Sequence, residues 1–394
     1  MDRSFLAWPF IPADAVPVYD RADAWAGERV SALIDERDES MAAACDGVRT
    51  LVAAMGRDGL LDISTSLNGP LSATRLSLTR DALAKHSGLA DFAFAMQGLG
   101  TGPISLFGSD AQKRAYLPGV AAGKVISAFA LSEKEAGSDV AALALTARKD
   151  GDDYVLDGEK TWISNAGIAG LYVVFARTGE ASGAKGLSAF IVEAKTQGLS
   201  IPQMIDVTAP HPLGTVRFER VRVPKAQMLG DPGHGFRIAM ATLDIFRTTV
   251  GAAALGFARR ALEETIAHVN NRRIFGGRLA DLQMTQGAIA DRATATDASA
   301  LLVYRSAWRK DQGHRVSRES AMAKLYATEE AQKTVDTAVQ LFGGLGVVRG
   351  HIAERLYRDV RALRIYEGAS EVQKLVIART YLNDQSDAAK TQSG

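Results

Sequence analysis

The chain has 394 residues, 47% of them hydrophobic, and 46 Lys plus Arg offset 45 Asp plus Glu to a net charge of +1. That is enough apolar material for a large core in two or three domains, and the interspersed charges offer neither a basic block for nucleic acid nor an acidic solvating run. The lone cysteine, Cys45, excludes an internal disulfide and a thiolate metal cage, no two histidines have the i, i+4 spacing of a helical zinc site, and no continuous apolar stretch reaches the roughly 18 residues of a membrane span.

The opening MDRSFLAWPFIPAD has too short an apolar run and too many prolines and acids for a secretion signal, so the expectation is a cytoplasmic protein without metal. Residues 1–125 read as a helical domain: apolar residues recur at three and four (Val30, Leu33, Ile34; Val48, Leu51, Val52), with a break at Leu67-Asn68-Gly69-Pro70. Residues 126–233 change character. Asp150-Gly151 and Asp157-Gly158 are hairpin signals among the apolar runs Tyr154-Leu156, Val173-Phe175, Phe190-Val192 and Val216-Phe218, and Glu219 to Val223 alternates at strand period. This predicts an antiparallel sheet domain. Residues 234–384 return to helix over Phe236–Asn271, Leu282–Lys310, Ser317–Phe342 and Glu371–Tyr381, long enough to form a four-helix bundle. Residues 385–394 are polar and predict a disordered tail. The fold class is α+β, mainly α.

The segment that points most directly to chemistry is Ile365-Tyr366-Glu367-Gly368-Ala369-Ser370. It places one carboxylate between an aromatic ring and a glycine that lets a ligand approach, a setting that suits a base with a raised pKa. A glutamate before glycine at a helix junction is also what a solvated cap looks like. Ala136-Gly137-Ser138-Asp139 can present backbone N–H groups to phosphates, or be an ordinary turn. Trp162 and Ser164 alternate on a strand and share a face, though a sheet tryptophan in the core has the same pattern. Phe236, Met240, Asp244 and Arg247 fall at helical spacing; the first two also fit core packing, and the last two a surface i, i+3 pair. Gly343-Gly344-Leu345-Gly346 is not a dinucleotide loop, because Arg349 stands where a glycine is required and a helix precedes it.

Taken in order, Phe129 to Asp139, Lys160-Thr161-Trp162-Ile163-Ser164-Asn165-Ala166-Gly167, Arg272-Arg273-Ile274-Phe275-Gly276 followed by Gln283, Gln340-Leu341-Phe342-Gly343-Gly344, and Tyr366-Glu367-Gly368 resemble the acyl-CoA dehydrogenase family of flavoproteins, from about Gly102 to Leu382. The resemblance implies FAD as cofactor and α,β-dehydrogenation of an acyl-CoA thioester to the trans-2-enoyl-CoA. Glu367 would remove the α-proton, and a hydride would pass from the β-carbon to flavin N5. It places Phe129, Leu131, Ser132, Gly137 and Ser138 along the flavin or its pyrophosphate, Trp162 against the isoalloxazine edge and Ser164 at N5. Arg272, Phe275, Gln283, Gln340 and Gly344 would reach the FAD of a neighbouring subunit, which implies a homo-oligomer, a dimer of dimers. Ala369 and Glu371 fall on the adenine side. Ser138, Phe236, Met240, Asp244, Phe246, Arg247, Tyr366 and Gly368 would line the substrate, and an electron-transfer flavoprotein would take the electrons. Three positions depart from the pattern: Lys134-Glu135 stands where Pro-Gly is common, Ala369 lacks a hydroxyl, and the bulky Phe246 replaces a small residue or a second glutamate, predicting a shortened acyl pocket. A flavin oxidase or monooxygenase of the same fold, and a non-catalytic helical scaffold, are the alternatives.

Overall fold

A computed structural model describes residues 3–67 and 69–392, with backbone alone beyond 383. The first helical stretch forms α1 (Val16–Leu33), α2 (Met41–Arg57), α3 (Ala73–His86), α4 (Gly88–Phe107) and α5 (Asp110–Ala121). Ser40, Ser72 and Ser109 cap α2, α3 and α5, and Gln112 completes a capping box with Ser109. The break expected at Leu67-Asn68-Gly69-Pro70 falls in the connection between α2 and α3, with Asn68 itself outside the described residues.

Eight strands follow: β1 (Ser127–Ala130), β2 (Thr146–Asp150), β3 (Asp153–Ser164), β4 (Leu171–Arg177), β5 (Leu187–Glu193), β6 (Leu199–Met204), β7 (Leu213–Pro224) and β8 (Met228–Leu229). They form one sheet in the order β6-β7-β3-β2-β4-β5-β8, with β1 beside β4. The sheet is mixed: most pairs are antiparallel, but β1 and β2 both run parallel to β4. β4 and β5 are buried on both faces, which is why they are continuous apolar runs, whereas the end of β7 alternates as its sequence does. Asp150-Gly151 is a hairpin turn, Gly151 having a φ of 64°. Asp157-Gly158 is not. It lies inside β3 as a bulge, where the register against β7 slips between Leu156 and Gly158. Gly158 has a φ of 138°, and a Cβ there would meet Leu145 at 3.1 Å.

After the sheet come α6 (Gly235–Asn271), a two-stranded hairpin of β9 (Arg273–Ile274) and β10 (Gly277–Arg278), α7 (Gln283–Asp311), α8 (Ser317–Phe342), α9 (Ile352–Arg361) and α10 (Ser370–Gln392). α6, α7 and α8 share a core rich in alanine, including Ala253, Ala254, Ala323, Ala327 and Ala331. Small residues let the axes approach: a Cβ on Gly251 would meet Val303 at 2.9 Å. α6 is long and apolar enough to cross a membrane, but its most apolar window is 83% buried inside the protein, the mark of a core helix. The tail expected to be disordered from 385 continues α10 to Gln392. Ala388, Ala389 and Lys390 are good helix formers, and no glycine or proline interrupts the run up to Gln392; residues 393 and 394 lie outside the described residues.

By contacts the chain divides into two compact units, and these cut across the sequence segments. One comprises Met1–Gly27, Ser72–Gly88 and Asp244–Gly394; the other Glu28–Leu71 and Leu89–Leu243. The expected helical domain over 1–125 is thus shared: α3 belongs with the C-terminal helices, while α2, α4 and α5 belong with the sheet. α3 shows why. It carries the fully buried Asp81, which accepts a 2.6 Å hydrogen bond from Tyr304 on α7 and lies 3.4 Å from Arg259 on α6.

Candidate active site

In the sheet unit, β1 leads through Leu131 and Ser132 into the loop 133–139. The buried carboxylate of Glu133 organises this loop. It accepts the backbone N–H groups of Ala144 and Leu145 at 2.7 and 3.0 Å and the Lys160 ammonium at 2.7 Å. Lys160, wholly buried on β3, also donates to the Leu131 carbonyl at 3.0 Å. Burial pushes the Lys160 pKa down to about 8, against the pull of Glu133. Thr161 N–H donates to Ser132 O at 3.0 Å, which sets Ser132 beside Trp162.

Trp162 departs from plain strand alternation. Its φ is 59°, and the β3–β7 register shifts between Lys160 and Ile163. Ile163 enters the core while the indole is left 57% exposed. The ring is therefore not a core tryptophan. Phe129 packs against Phe175 with ring centroids 4.9 Å apart, and Leu131 is buried. Ser132 and Ser164 are half-buried and Ser138 is exposed, and none of the three hydroxyls has a hydrogen bond within the chain among the described residues. Gly137 faces open space. An exposed indole, uncommitted hydroxyls and an open glycine backbone fit a flat ring system with a polar edge and a phosphate tail. Trp162, Ser132 and Ser164 would hold the ring of a flavin, and Gly137 and Ser138 its phosphates.

The helical unit carries the carboxylate. Glu367 and Gly368 both have left-handed φ values, 53° and 94°, between the turn Ala362–Arg364 and α10. Gly368 would take a side chain only under strain: its φ is 94°, and a Cβ would lie 2.4 Å from Gln373 Nε2 and displace that amide. Its carbonyl accepts from that amide at 2.7 Å and from Lys324 Nζ on α8 at 2.8 Å. Glu329, one turn further along α8, accepts from Arg364 Nε at 2.9 Å and Ser370 Oγ at 2.6 Å, holding both ends of the turn. Glu367 is half-buried and Tyr366 is 36% exposed. Asp244 and Arg247 are not a surface pair: both are largely shielded, 3.2 Å apart, with Asp244 also accepting from Ser317 Oγ at 2.7 Å. Arg247 Nε makes a long 3.4 Å contact with the Glu367 carbonyl. Burial works against the Arg247 charge, and Asp244 and Glu367 support it.

On α6, Phe236, Met240 and Asp244 form an i, i+4, i+8 stripe of partly buried residues. Phe246 does not belong to it. Its ring is 1% exposed, packed as a core group rather than left partly open like the stripe. The reason is angular: Phe246 lies two residues past the stripe's Asp244, about 200° around the helix. Phe246→Gly is therefore expected to cost roughly 3–5 kcal/mol of stability and to leave the acyl-chain profile unchanged, measured as thermal midpoint and kcat/KM across chain lengths.

A third group surrounds the end of α6. The ring of His268 stacks on Phe342 at 4.2 Å, which brings the base of the β9–β10 hairpin, with Arg272, to the end of α8, with Gln340 and Gly344. The hairpin tip is Phe275-Gly276, both at positive φ, 51° and 82°, and the phenyl ring is 89% exposed. Arg272, Gln283, Gln340 and Gly344 are exposed too, with Met284, Leu345, Val347 and Val348 near them in sequence. Ala369 is half-buried and Glu371 exposed at the start of α10.

Among the described residues, five non-glycines have a left-handed φ: Trp162, Asn165, Arg220, Phe275 and Glu367. Three are residues singled out from the sequence, and such conformations, costing on the order of 1–3 kcal/mol each, gather where geometry serves function. Sequence reasoning missed Glu133, Lys160, Lys324 and Gln373. A signal existed for Lys324. It occupies the buried stripe Ser320, Lys324, Ala327, Thr328, Ala331 of α8, where a lysine is out of place.

Models of the acyl-CoA dehydrogenase N-terminal, middle and C-terminal domains match residues 14–124, 128–221 and 233–382. The mitochondrial short-chain specific acyl-CoA dehydrogenase of Rattus norvegicus is 41% identical over 83% of this chain and 81% of its own. A chain in a solved structure of the electron transferring flavoprotein of Acidaminococcus fermentans superposes with a TM-score of 0.88 at 34% identity, covering 94% of this chain and 98% of that one. Butyryl-CoA dehydrogenase from Megasphaera elsdenii gives 0.84 at 31%, covering 93% and 98%. The fold and site define a flavin-dependent oxidoreductase of CH–CH groups. The chain belongs to the acyl-CoA dehydrogenase family, with FAD as its cofactor.

Proposed function

We propose that the protein dehydrogenates a short acyl-CoA thioester at its α,β-bond, with Glu367 as the α-proton base. The observation that carries this is the Glu367-Gly368 turn: a half-buried carboxylate on a left-handed backbone, its following carbonyl held by Lys324 and Gln373. Asp244 is the rival carboxylate on the neighbouring helix, but Arg247 and Ser317 already engage it. Glu367 takes the proton, and the backbone N–H of this base would donate to the thioester oxygen, an arrangement that stabilises the developing enolate. Bound FAD supplies the acceptor for the hydride. Short chains are supported by the rat and Megasphaera relatives, and an electron-transfer flavoprotein as electron acceptor by the Acidaminococcus structure.

The test is spectroscopic. The purified protein is expected to be yellow, and its flavin band to bleach under nitrogen with butyryl-CoA faster than with long-chain acyl-CoA. Bleaching by none of a panel of short, branched, aromatic and long acyl-CoAs would remove the reading. Fast reoxidation in air would make the protein an oxidase instead.

The exposed Phe275, Met284, Leu345, Val347 and Val348 support a homo-oligomer in which the Arg272 region meets a second copy's FAD. Arg272→Ala is expected to weaken FAD retention by the 1.5–3 kcal/mol or so of a charge-assisted contact, roughly 10- to 100-fold in Kd. Flavin content after dialysis and the size-exclusion profile check this, and no change in either removes the inter-subunit role.

A further inference from the structure

We propose that Lys324 is the positioning residue for the base: it fixes the left-handed Glu367-Gly368 turn through the Gly368 carbonyl and supplies the buried positive charge that Glu367 faces. This rests on the reading of Glu367 as base. The side chain of Lys324 is wholly buried, and its ammonium donates to Gly368 O at 2.8 Å. A buried ammonium is costly unless matched by acceptors and counter-charge. A leucine or methionine would fill the same space on α8 at no such cost, so the charge is retained for what it faces. The charged groups around it are Glu367 on the turn, Arg247 on α6, Glu329 on its own helix and Glu371 on α10. Two of the three acids are occupied or distant in role. Glu329 is bound by Arg364 and Ser370, and Glu371 is exposed. Glu367 leads the charge interactions that favour the protonated lysine, against a burial that pushes its pKa down to about 8.

The hydrogen bond does a separate task. A glutamate at φ 53° followed by a glycine at φ 94° is held only if its surroundings over-determine it. Gln373 and Lys324 both donate to Gly368 O, from α10 and from α8, so the turn is pinned between two helices. Loss of one pin frees the Glu367 carboxylate to rotate away from the α-carbon, which lowers kcat more than it raises KM.

Lys324→Met removes charge and donor; Lys324→Gln keeps a neutral donor and safeguards the experiment if the methionine variant fails to fold. Each is measured beside wild type and Glu367→Gln for flavin content, thermal midpoint, kcat, KM and the pH profile of kcat/KM. The expected result is that both lysine variants keep their flavin while the acidic limb of kcat/KM moves to higher pH, since one of the two cations that Glu367 faces is gone and only Arg247 remains. In Lys324→Met, kcat should fall roughly 10- to 100-fold with KM within a few-fold, the scale of a misplaced catalytic group. An acidic limb at its wild-type position in Lys324→Gln, with only the thermal midpoint altered, would show a purely structural lysine and overturn the proposal. If Glu367→Gln itself stays active, the base assignment fails first and the proposal falls with it; if Glu367→Gln is dead while the lysine variants match wild type, the proposal alone fails.

Discussion

Glu367→Gln is expected to retain the fold and the bound flavin and to lose turnover by two to four orders of magnitude or so, the range for removing a general base. The amide is nearly isosteric, and the left-handed backbone depends on Gly368, Gln373 and Lys324 rather than on the carboxylate. What changes is only the capacity to take a proton. The measurement is anaerobic bleaching of the flavin by butyryl-CoA, followed as a single-turnover rate so that product release does not mask chemistry. A rate within a few-fold of wild type would show that another group removes the proton. Asp244 is poorly suited to take over, because Arg247 and Ser317 already engage its carboxylate.

The candidate site residues stand out in the sequence where unusual residue types occur in order. Tyr366-Glu367-Gly368, Trp162 and the Arg272–Gly276 run all carry their signal in residue type, and each coincides with a turn, bulge or hairpin tip at positive φ. The long helices were legible too, because 3.6-residue periodicity sustained over many turns has no competing reading. Asp157-Gly158 was misjudged because the same dipeptide serves a hairpin or a bulge, and only the pairing of β3 with β7 decides between them. The burial of Phe246 was not legible: its neighbours at 244 and 247 are polar, and nothing local says which side of α6 is filled. Glu133 and Lys160 stand 27 positions apart in the chain, so their ion pair is a property of the sheet and invisible to local pattern. The division of the first hundred residues between two units was illegible for a related reason. α3 carries Arg80-Asp81, charged residue types that ordinarily face solvent, and the fold buries both.

That buried sheet pair gives the second large effect. Lys160→Met is expected to destabilise the protein by about 3–5 kcal/mol, the usual cost of stripping one partner from a buried ion pair. The methionine fills the space, so the loss is electrostatic. Glu133 keeps the N–H groups of Ala144 and Leu145 but faces the interior without its cation, and the Leu131 carbonyl loses its donor. Those two acceptors bracket Ser132 at the start of the loop that carries Gly137 and Ser138, so flavin retention should fall together with the thermal midpoint. The double variant Lys160→Met, Glu133→Gln separates charge from packing. Neutralising the stranded carboxylate should return part of the lost stability, making the double variant more stable than Lys160→Met alone. A double variant that is the sum of its two singles would mean that Lys160 and Glu133 are uncoupled, and that the lysine matters only as a donor to Leu131.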